Sequence, residues 1–285
     1  MEALLNNLNA VKSRLDQIFD LKSPQIMGVL NITPDSFSDG GSFTQIESAV
    51  QHALKMAEQG ATIIDIGGES TRPNALPVST HEEILRVVPV IEGIRLKSDI
   101  AISIDTSKAD VMKAAIEAGA DFINDVYALQ RPGSLDMAAS LGVPVCLMHM
   151  QADPTTMQDQ PYYLNVVEEL NDFFAQRIAA CEQVGIAKGK IILDPGFGFG
   201  KTLQHNLTLL AKLKEFESHG CPILAGLSRK SMFGQLLDKK VDERLIGSVS
   251  AALLAVANGA SIVRVHDVAE TADALKVYMA VQAAK

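Results

Sequence analysis

Eight times along this chain, a short run of β-branched and apolar residues gives way to a longer segment with helical spacing. The runs fall at 26–31, 62–66, 101–105, 122–124, 143–148, 191–194, 222–227 and 261–266. Most are apolar without interruption, as strands buried on both faces of a parallel sheet are. The segments between them carry stripes such as Ile46, Ala49, Val50, Ala53, Leu54 and Ala57, which share one helix face. Thr44 with Glu47, Thr80 with Glu83 and Asp267 with Glu270 have the spacing of a capping box. Gly60, Gly119, Gly142 and Gly259 each precede the Ala or Val that leads into the next run, and read as helix ends that turn the chain back. Eight strand–helix units in series predict an α/β fold, a single (β/α)8 barrel of the TIM type over 24–285. A doubly wound open sheet is the competing architecture.

Residues 1–23 precede the first unit. Leu4, Leu5, Leu8, Val11, Leu15, Ile18 and Phe19 recur there at helical spacing, so this extension is expected to form an amphipathic helix against the barrel. The segment lacks the basic start, apolar stretch and small-residue cleavage site of a secretion signal. No run of 18 apolar residues is present, which excludes a membrane-spanning helix. The apolar fraction of 47% supports a large core and excludes wholesale disorder. With 25 Lys and Arg against 34 Asp and Glu, the net charge is −9, a poor footing for binding nucleic acid or an anionic membrane. Cys146, Cys181 and Cys221 are scattered and form no CxxC pair, which fits reduced thiols and a cytoplasmic location.

In such a barrel the chemistry belongs at the carboxyl ends of the strands. Those ends are polar here. The first leads into Asn31, Phe37 and Asp39, and the second passes through Asp65 to Thr71, Arg72 and Pro73. Asp105, Asn124, Met148 with His149, and Asp194 close the next four. Lys230 and Ser231 follow the seventh, and Arg264 and His266 lie in the eighth. Single groups of this kind serve as helix caps, but eight ends together point to a polar small molecule. Asp105, Asn124, Asp194 and Lys230 suit a heterocycle with several N–H donors. A purely structural Lys230–Asp194 pair is the competing reading. Asn31, Arg72, Arg264 and His266 suit a phosphate or pyrophosphate.

The glycine-rich segment 194–202 ends in Gly200-Lys201-Thr202, yet Pro195 stands where a P-loop needs its first glycine. It reads instead as a loop that brings backbone close to a ligand, with Phe199 supplying either an aromatic wall or plain packing. His149 lacks the partners of a metal site.

The phrases Met27-Gly28-Val29-Leu30-Asn31-Ile32-Thr33-Pro34-Asp35-Ser36-Phe37-Ser38-Asp39-Gly40-Gly41, Gly67-Gly68-Glu69-Ser70-Thr71-Arg72-Pro73, Asp194-Pro195-Gly196-Phe197-Gly198-Phe199-Gly200-Lys201 and Ser228-Arg229-Lys230-Ser231 resemble the bacterial dihydropteroate synthase family. The resemblance runs from about Pro24 to the C-terminus. It implies condensation of 6-hydroxymethyl-7,8-dihydropterin pyrophosphate with 4-aminobenzoate in folate biosynthesis, the step that sulfonamides block. It implies a pterin site of Asp105, Asn124, Met148, Asp194, Lys230 and Arg264. Pyrophosphate would lie on Asn31, Arg72, Arg264 and His266, with Mg2+ as cofactor and Asn31 as its ligand. Aminobenzoate would meet Phe37, Thr71, Pro73, Phe199, Lys230 and Ser231. Asp39 and Phe37 would lie on a closing loop, and the active form would be a homodimer. Asn74 stands where the family usually has glycine. The competing functions are a pterin-binding methyltransferase, a Schiff-base enzyme using Lys230, and a non-catalytic pterin-binding homologue.

Overall fold

The computed structural model describes residues 14, 19, 23–32, 42–70, 76–151, 157 and 160–284. Its strands are β1 Gln25–Asn31, β2 Ile63–Gly67, β3 Ala101–Asp105, β4 Phe122–Asp125, β5 Val145–Met148, β6 Ile191–Asp194, β7 Leu224–Ala225 and β8 Ile262–Val265. All pair in parallel, in the order β6-β5-β4-β3-β2-β1-β8-β7. A bridge between Leu193 and Ile223 joins the two ends, and the Leu193 N–H donates to the Pro222 carbonyl at 2.9 Å. The sheet is therefore a closed eight-stranded barrel. The helices α1 Ser42–Glu58, α2 Thr80–Arg95, α3 Ala109–Glu117, α4 Ser134–Leu141, α5 Val166–Gln183, α6 Leu203–Ala211, α7 Ser231–Leu237, α8 Leu245–Ala257 and α9 Val268–Ala283 connect the strands.

Three strands are shorter than their expected runs: β8 loses one residue at each end, and β5 and β7 begin only after a proline. Pro144 and Pro222 have no N–H for the ladder and serve only as acceptors, for Ile123 and Leu193. The four glycines expected at helix ends all have positive φ: Gly60 108°, Gly119 116°, Gly142 64° and Gly259 102°. The expected capping boxes are corrected. Helix α1 starts at Ser42, which leaves Thr44 inside it. Ser79, not Thr80, caps α2, accepting the Glu82 N–H at 3.2 Å, while Glu83 is drawn to Lys108. Asp267 precedes α9 but makes no cap bond with its side chain, because its carboxylate pairs with Arg229.

Of the expected N-terminal helix, only Arg14 and Phe19 are among the described residues before Ser23. Arg14 is helical and buried, and its Nε donates to Asp121 Oδ1 at 2.9 Å. Phe19 packs against the floor of the barrel. The rest of that expectation lies outside the described residues.

The floor explains where the site must be. Met27, Ile63, Ala101, Phe122, Cys146, Ile192, Leu224 and Ile262, one from each strand, form an apolar cluster inside the barrel. Side chains alternate across a strand, so the residue two further on faces the same interior. Those residues are Val29, Asp65, Ser103, Asn124, Met148, Asp194, Gly226 and Arg264. A second step reaches Asn31, Asp105 and His266. The interior thus changes from hydrocarbon to charge within about 7 Å of strand rise.

Candidate active site

All six residues expected to hold a pterin, Asp105, Asn124, Met148, Asp194, Lys230 and Arg264, line one cavity. Phe199 lines it too. The acidic and cationic groups therefore open onto the same space.

Arg264 is the centre of its charge network. Its Nε donates to Asp65 Oδ2 at 2.6 Å and its Nη2 to Asp105 Oδ2 at 2.9 Å. Burial pulls the guanidinium pKa down, but Asp65 and Asp105 more than reverse this, so the net direction is upward. Asn124 Nδ2 approaches both oxygens of Asp65, at 3.4 and 3.3 Å. Asp65 is fully buried and was not among the expected site residues. Its signal was present: a carboxylate inside Ile63-Ile64-Asp65-Ile66 must find a cation once folded. It anchors Arg264 below the cavity and leaves the guanidinium beside the ligand space.

Asp105 is pushed above the usual carboxylate range, first by burial and then by Asp65, with Arg264 opposing. Burial likewise raises Asp194 to about 6, against the pull of the Gly196 N–H and the charges of Lys230 and Arg264. The Gly196 N–H donates to Asp194 Oδ1 at 2.7 Å. Lys230 Nζ sits 4.1 Å from the centre of the Phe199 ring, a cation–π contact at the cavity wall.

His266 follows β8. Its Nδ1 is 3.1 Å from Ser228 Oγ, and its N–H donates to the same oxygen at 3.2 Å. Burial, then Arg264 and Arg229, lower its pKa to about 4, so the ring is neutral at pH 7. Arg229 holds the turn between Ser228 and Lys230 in the left-handed region, φ 58°, an unfavourable conformation for a residue with a side chain. Ser248 Oγ accepts its N–H at 2.9 Å and Asp267 pairs with its guanidinium, which compensates. Asn31 ends β1 half-buried. Its Oδ1 lies 3.6 Å from where a Cβ on Gly67 would stand, and Asp105 Cβ is equally close to that point. Ser231 opens α7, is exposed, and is not in the cavity lining. Phe37, Asp39, Thr71, Arg72, Pro73 and Asn74 lie outside the described residues.

Both ends of the segment carrying Thr71, Arg72 and Pro73 are tied to Lys108, the residue just before α3. Lys108 Nζ donates to Glu69 Oε2 at 3.0 Å, to the Val78 carbonyl at 2.8 Å and to Glu83 Oε2 at 2.5 Å. Glu69 Oε1 in turn accepts the Val78 N–H at 2.8 Å.

A closed barrel whose strand ends converge on one polar cavity defines an enzyme for a nitrogenous heterocycle. Residues 27–266 match the family model described as pterin binding enzyme, and the chain belongs to that family. It is 54% identical over 266 residues to dihydropteroate synthase of Escherichia coli strain K12, covering 93% of this chain and 94% of the relative. To the same enzyme of Haemophilus influenzae it is 57% identical over 265 residues, covering 93% and 96%. The crystal structure of the Yersinia pestis synthase with a sulfonamide drug complex superposes with a TM-score of 0.88 at 53% identity, covering 93% of this chain and 96% of that one. The Xanthomonas albilineans synthase with 4-aminobenzoic acid superposes with a TM-score of 0.87 at 52% identity, covering 92% and 94%. The chain is accordingly a transferase of folate synthesis with dihydropteroate synthase activity. Among the described residues, no helix is long and apolar enough to cross a membrane.

Proposed function

We propose that the cavity binds 6-hydroxymethyl-7,8-dihydropterin pyrophosphate and that 4-aminobenzoate displaces its pyrophosphate, giving 7,8-dihydropteroate. The convergence of Asp105, Asn124, Asp194, Lys230 and Arg264 on one cavity carries this reading. Asp194 and Asn124 accept the N–H donors of the pterin edge, and Lys230 donates to a ring acceptor. Met148 packs against the ring, and Arg264, braced by Asp65 and Asp105, lies beside it.

The leaving group carries negative charge and the aromatic amine is a weak nucleophile, so stabilising departure matters most. Asn31, Arg72, Arg264 and His266 receive the pyrophosphate. Neutral His266 contributes through an N–H rather than a full charge, with Ser228 orienting its ring. The carboxylates of Asp105 and Asp194 stabilise the positive charge that develops on the pterin methylene as the C–O bond breaks. The amine nitrogen then bonds to that carbon and loses a proton. Phe37, Thr71, Pro73, Phe199, Lys230 and Ser231 are the residues assigned to the aminobenzoate, and Asp39 is assigned to the catalytic set. A sulfonamide would occupy the same place.

Mg2+ fits this donor set as a companion of the pyrophosphate. The Asn31 amide oxygen would hold this hard, oxygen-seeking cation together with phosphate oxygens and water. When bound, it would neutralise phosphate charge.

The assembly is a homodimer in this proposal. Support comes from the exposed Leu236, Leu237, Ile246, Leu254, Val277 and Val281 on α7, α8 and α9. The location is cytoplasmic, in keeping with three free buried thiols. A methyltransferase or Schiff-base reading has no observation in its favour, and a non-catalytic homologue would not need the intact charge network. The test is incubation with the pterin pyrophosphate, Mg2+ and 4-aminobenzoate. Dihydropteroate and pyrophosphate should appear together, and Arg264→Ala with His266→Ala should lower kcat by at least ~100-fold. A loss of only a few fold would refute the role given to leaving-group stabilisation.

A further inference from the structure

One buried side chain holds the glycine-rich segment after β6 from inside. Lys201 is only 3% exposed. Its Nζ donates to the Gly196 carbonyl at 3.0 Å, the Phe199 carbonyl at 2.9 Å and the His149 carbonyl at 3.3 Å, and lies 3.0 Å from His149 Nδ1. These acceptors come from two loops, those after β5 and β6. Gly196 and Gly200 turn the backbone through φ values of 66° and 60°. The Phe199 N–H closes a turn on the Gly196 carbonyl at 3.0 Å. At the outer side, Gly198 donates to Asn206 Oδ1 at 2.8 Å and Tyr163 donates to the Gly200 carbonyl at 2.9 Å.

Buried carbonyls without donors are costly. An ammonium brings three N–H groups and no acceptor, so it serves the Gly196 and Phe199 carbonyls and leaves its third N–H to His149, through the carbonyl or Nδ1, whereas a neutral amine would be one donor short. Burial draws the Lys201 pKa down to about 7, with Asp194 opposing. The segment so gathered carries the Phe199 ring to Lys230.

We propose that Lys201 is a positioning residue for aminobenzoate: its ammonium collects the carbonyls of the β5 and β6 loops and thereby fixes Phe199 against Lys230. This rests on the reading of Phe199 as a wall of the aminobenzoate site. A lysine that served only overall stability would lower the folded fraction without moving one Michaelis constant apart from the other.

The experiment compares steady-state kinetics of Lys201→Met, Phe199→Ala and the double variant, on protein shown folded by circular dichroism. Lys201→Met should raise KM for 4-aminobenzoate roughly tenfold, with kcat and the KM for pterin pyrophosphate within about threefold of the parent. The double variant should be no worse than Phe199→Ala alone, because both act through one ring. Equal rises in both KM values, or an additive double variant while Phe199→Ala is itself effective, overturn the role of Lys201. Phe199→Ala with unchanged KM for aminobenzoate overturns the assignment of Phe199 instead, and Lys201 is then judged on its own KM split. If Lys201→Met does not fold, Lys201→Arg, which keeps the charge but spreads its donors in a plane, should show the same selective rise of about threefold or more. An unchanged KM in that variant also overturns the proposal.

Discussion

Asp194 shows how one residue is tuned by its surroundings. Burial raises its carboxyl to about 6, while Gly196 and Lys230 pull the other way. A pterin donating N–H bonds to it favours the ionised form, so binding near pH 6 must expel a proton. Affinity should therefore rise with pH up to about 6 and then level. Calorimetry in buffers of different ionisation enthalpy should detect proton release at pH 6 and little at pH 8. Asp194→Asn should abolish that release and weaken pterin binding by about 1.5–3 kcal/mol, the range for a hydrogen bond to a charged group. Equal heats in both buffers at pH 6 would contradict the assignment. Asp65 makes the complementary point. It does not line this cavity, yet it and Asp105 brace Arg264, and removing one partner of such a buried pair leaves a charge uncompensated.

The loop after β6 has little freedom at Gly196. A Cβ on Gly196 would stand 1.9 Å from the His149 carbonyl oxygen, at a φ of 66° that disfavours any side chain. Gly196→Ala is expected to displace the loop, remove the Gly196–Asp194 hydrogen bond and abolish measurable pterin binding. Strain of this kind costs of order 1–3 kcal/mol before the clash is counted. Thermal unfolding followed by pterin titration would check both parts. A variant with parental stability and affinity would show the loop to be adaptable. The glycines themselves were legible in the sequence as a site of close backbone approach. Lys201 as the organiser was not, because its donors are satisfied by carbonyls, which leave no mark on residue identity.

For the whole molecule, the helices after β7 and β8 expose more hydrocarbon than a lone barrel needs. Ile246 is 74% and Val277 66% exposed, on adjacent helices α8 and α9. Pairing with a second copy would cover them, as apolar patches at subunit contacts are covered. Light scattering after gel filtration should give twice the 30.6 kDa chain mass. Ile246→Glu with Val277→Glu should halve it. A parental mass of one chain at micromolar concentration would exclude the homodimer.

The sequence by itself determined the eight strand–helix units and the polarity at each strand's end. Both are local: strand length, helical spacing and glycine turns are written in neighbouring residues. It also singled out four residues that line the cavity, Asp105, Asn124, Asp194 and Lys230, since a charge or amide near the end of an apolar strand has few other places to go, whereas Met148 and Arg264 joined that set through the family resemblance. Only the tertiary structure decided which charges meet. Arg264 is 199 residues from Asp65 in sequence and 2.6 Å from it in space. That pairing follows from β8 lying beside β1 opposite β2, and from the register of β1 with both neighbours, which no local pattern encodes. The same holds for Ser79 rather than Thr80 as a cap and for Asp267 turned to Arg229. In both, a distant cation, Lys108 for Glu83 and Arg229 for Asp267, takes the carboxylate that a local capping box would have used.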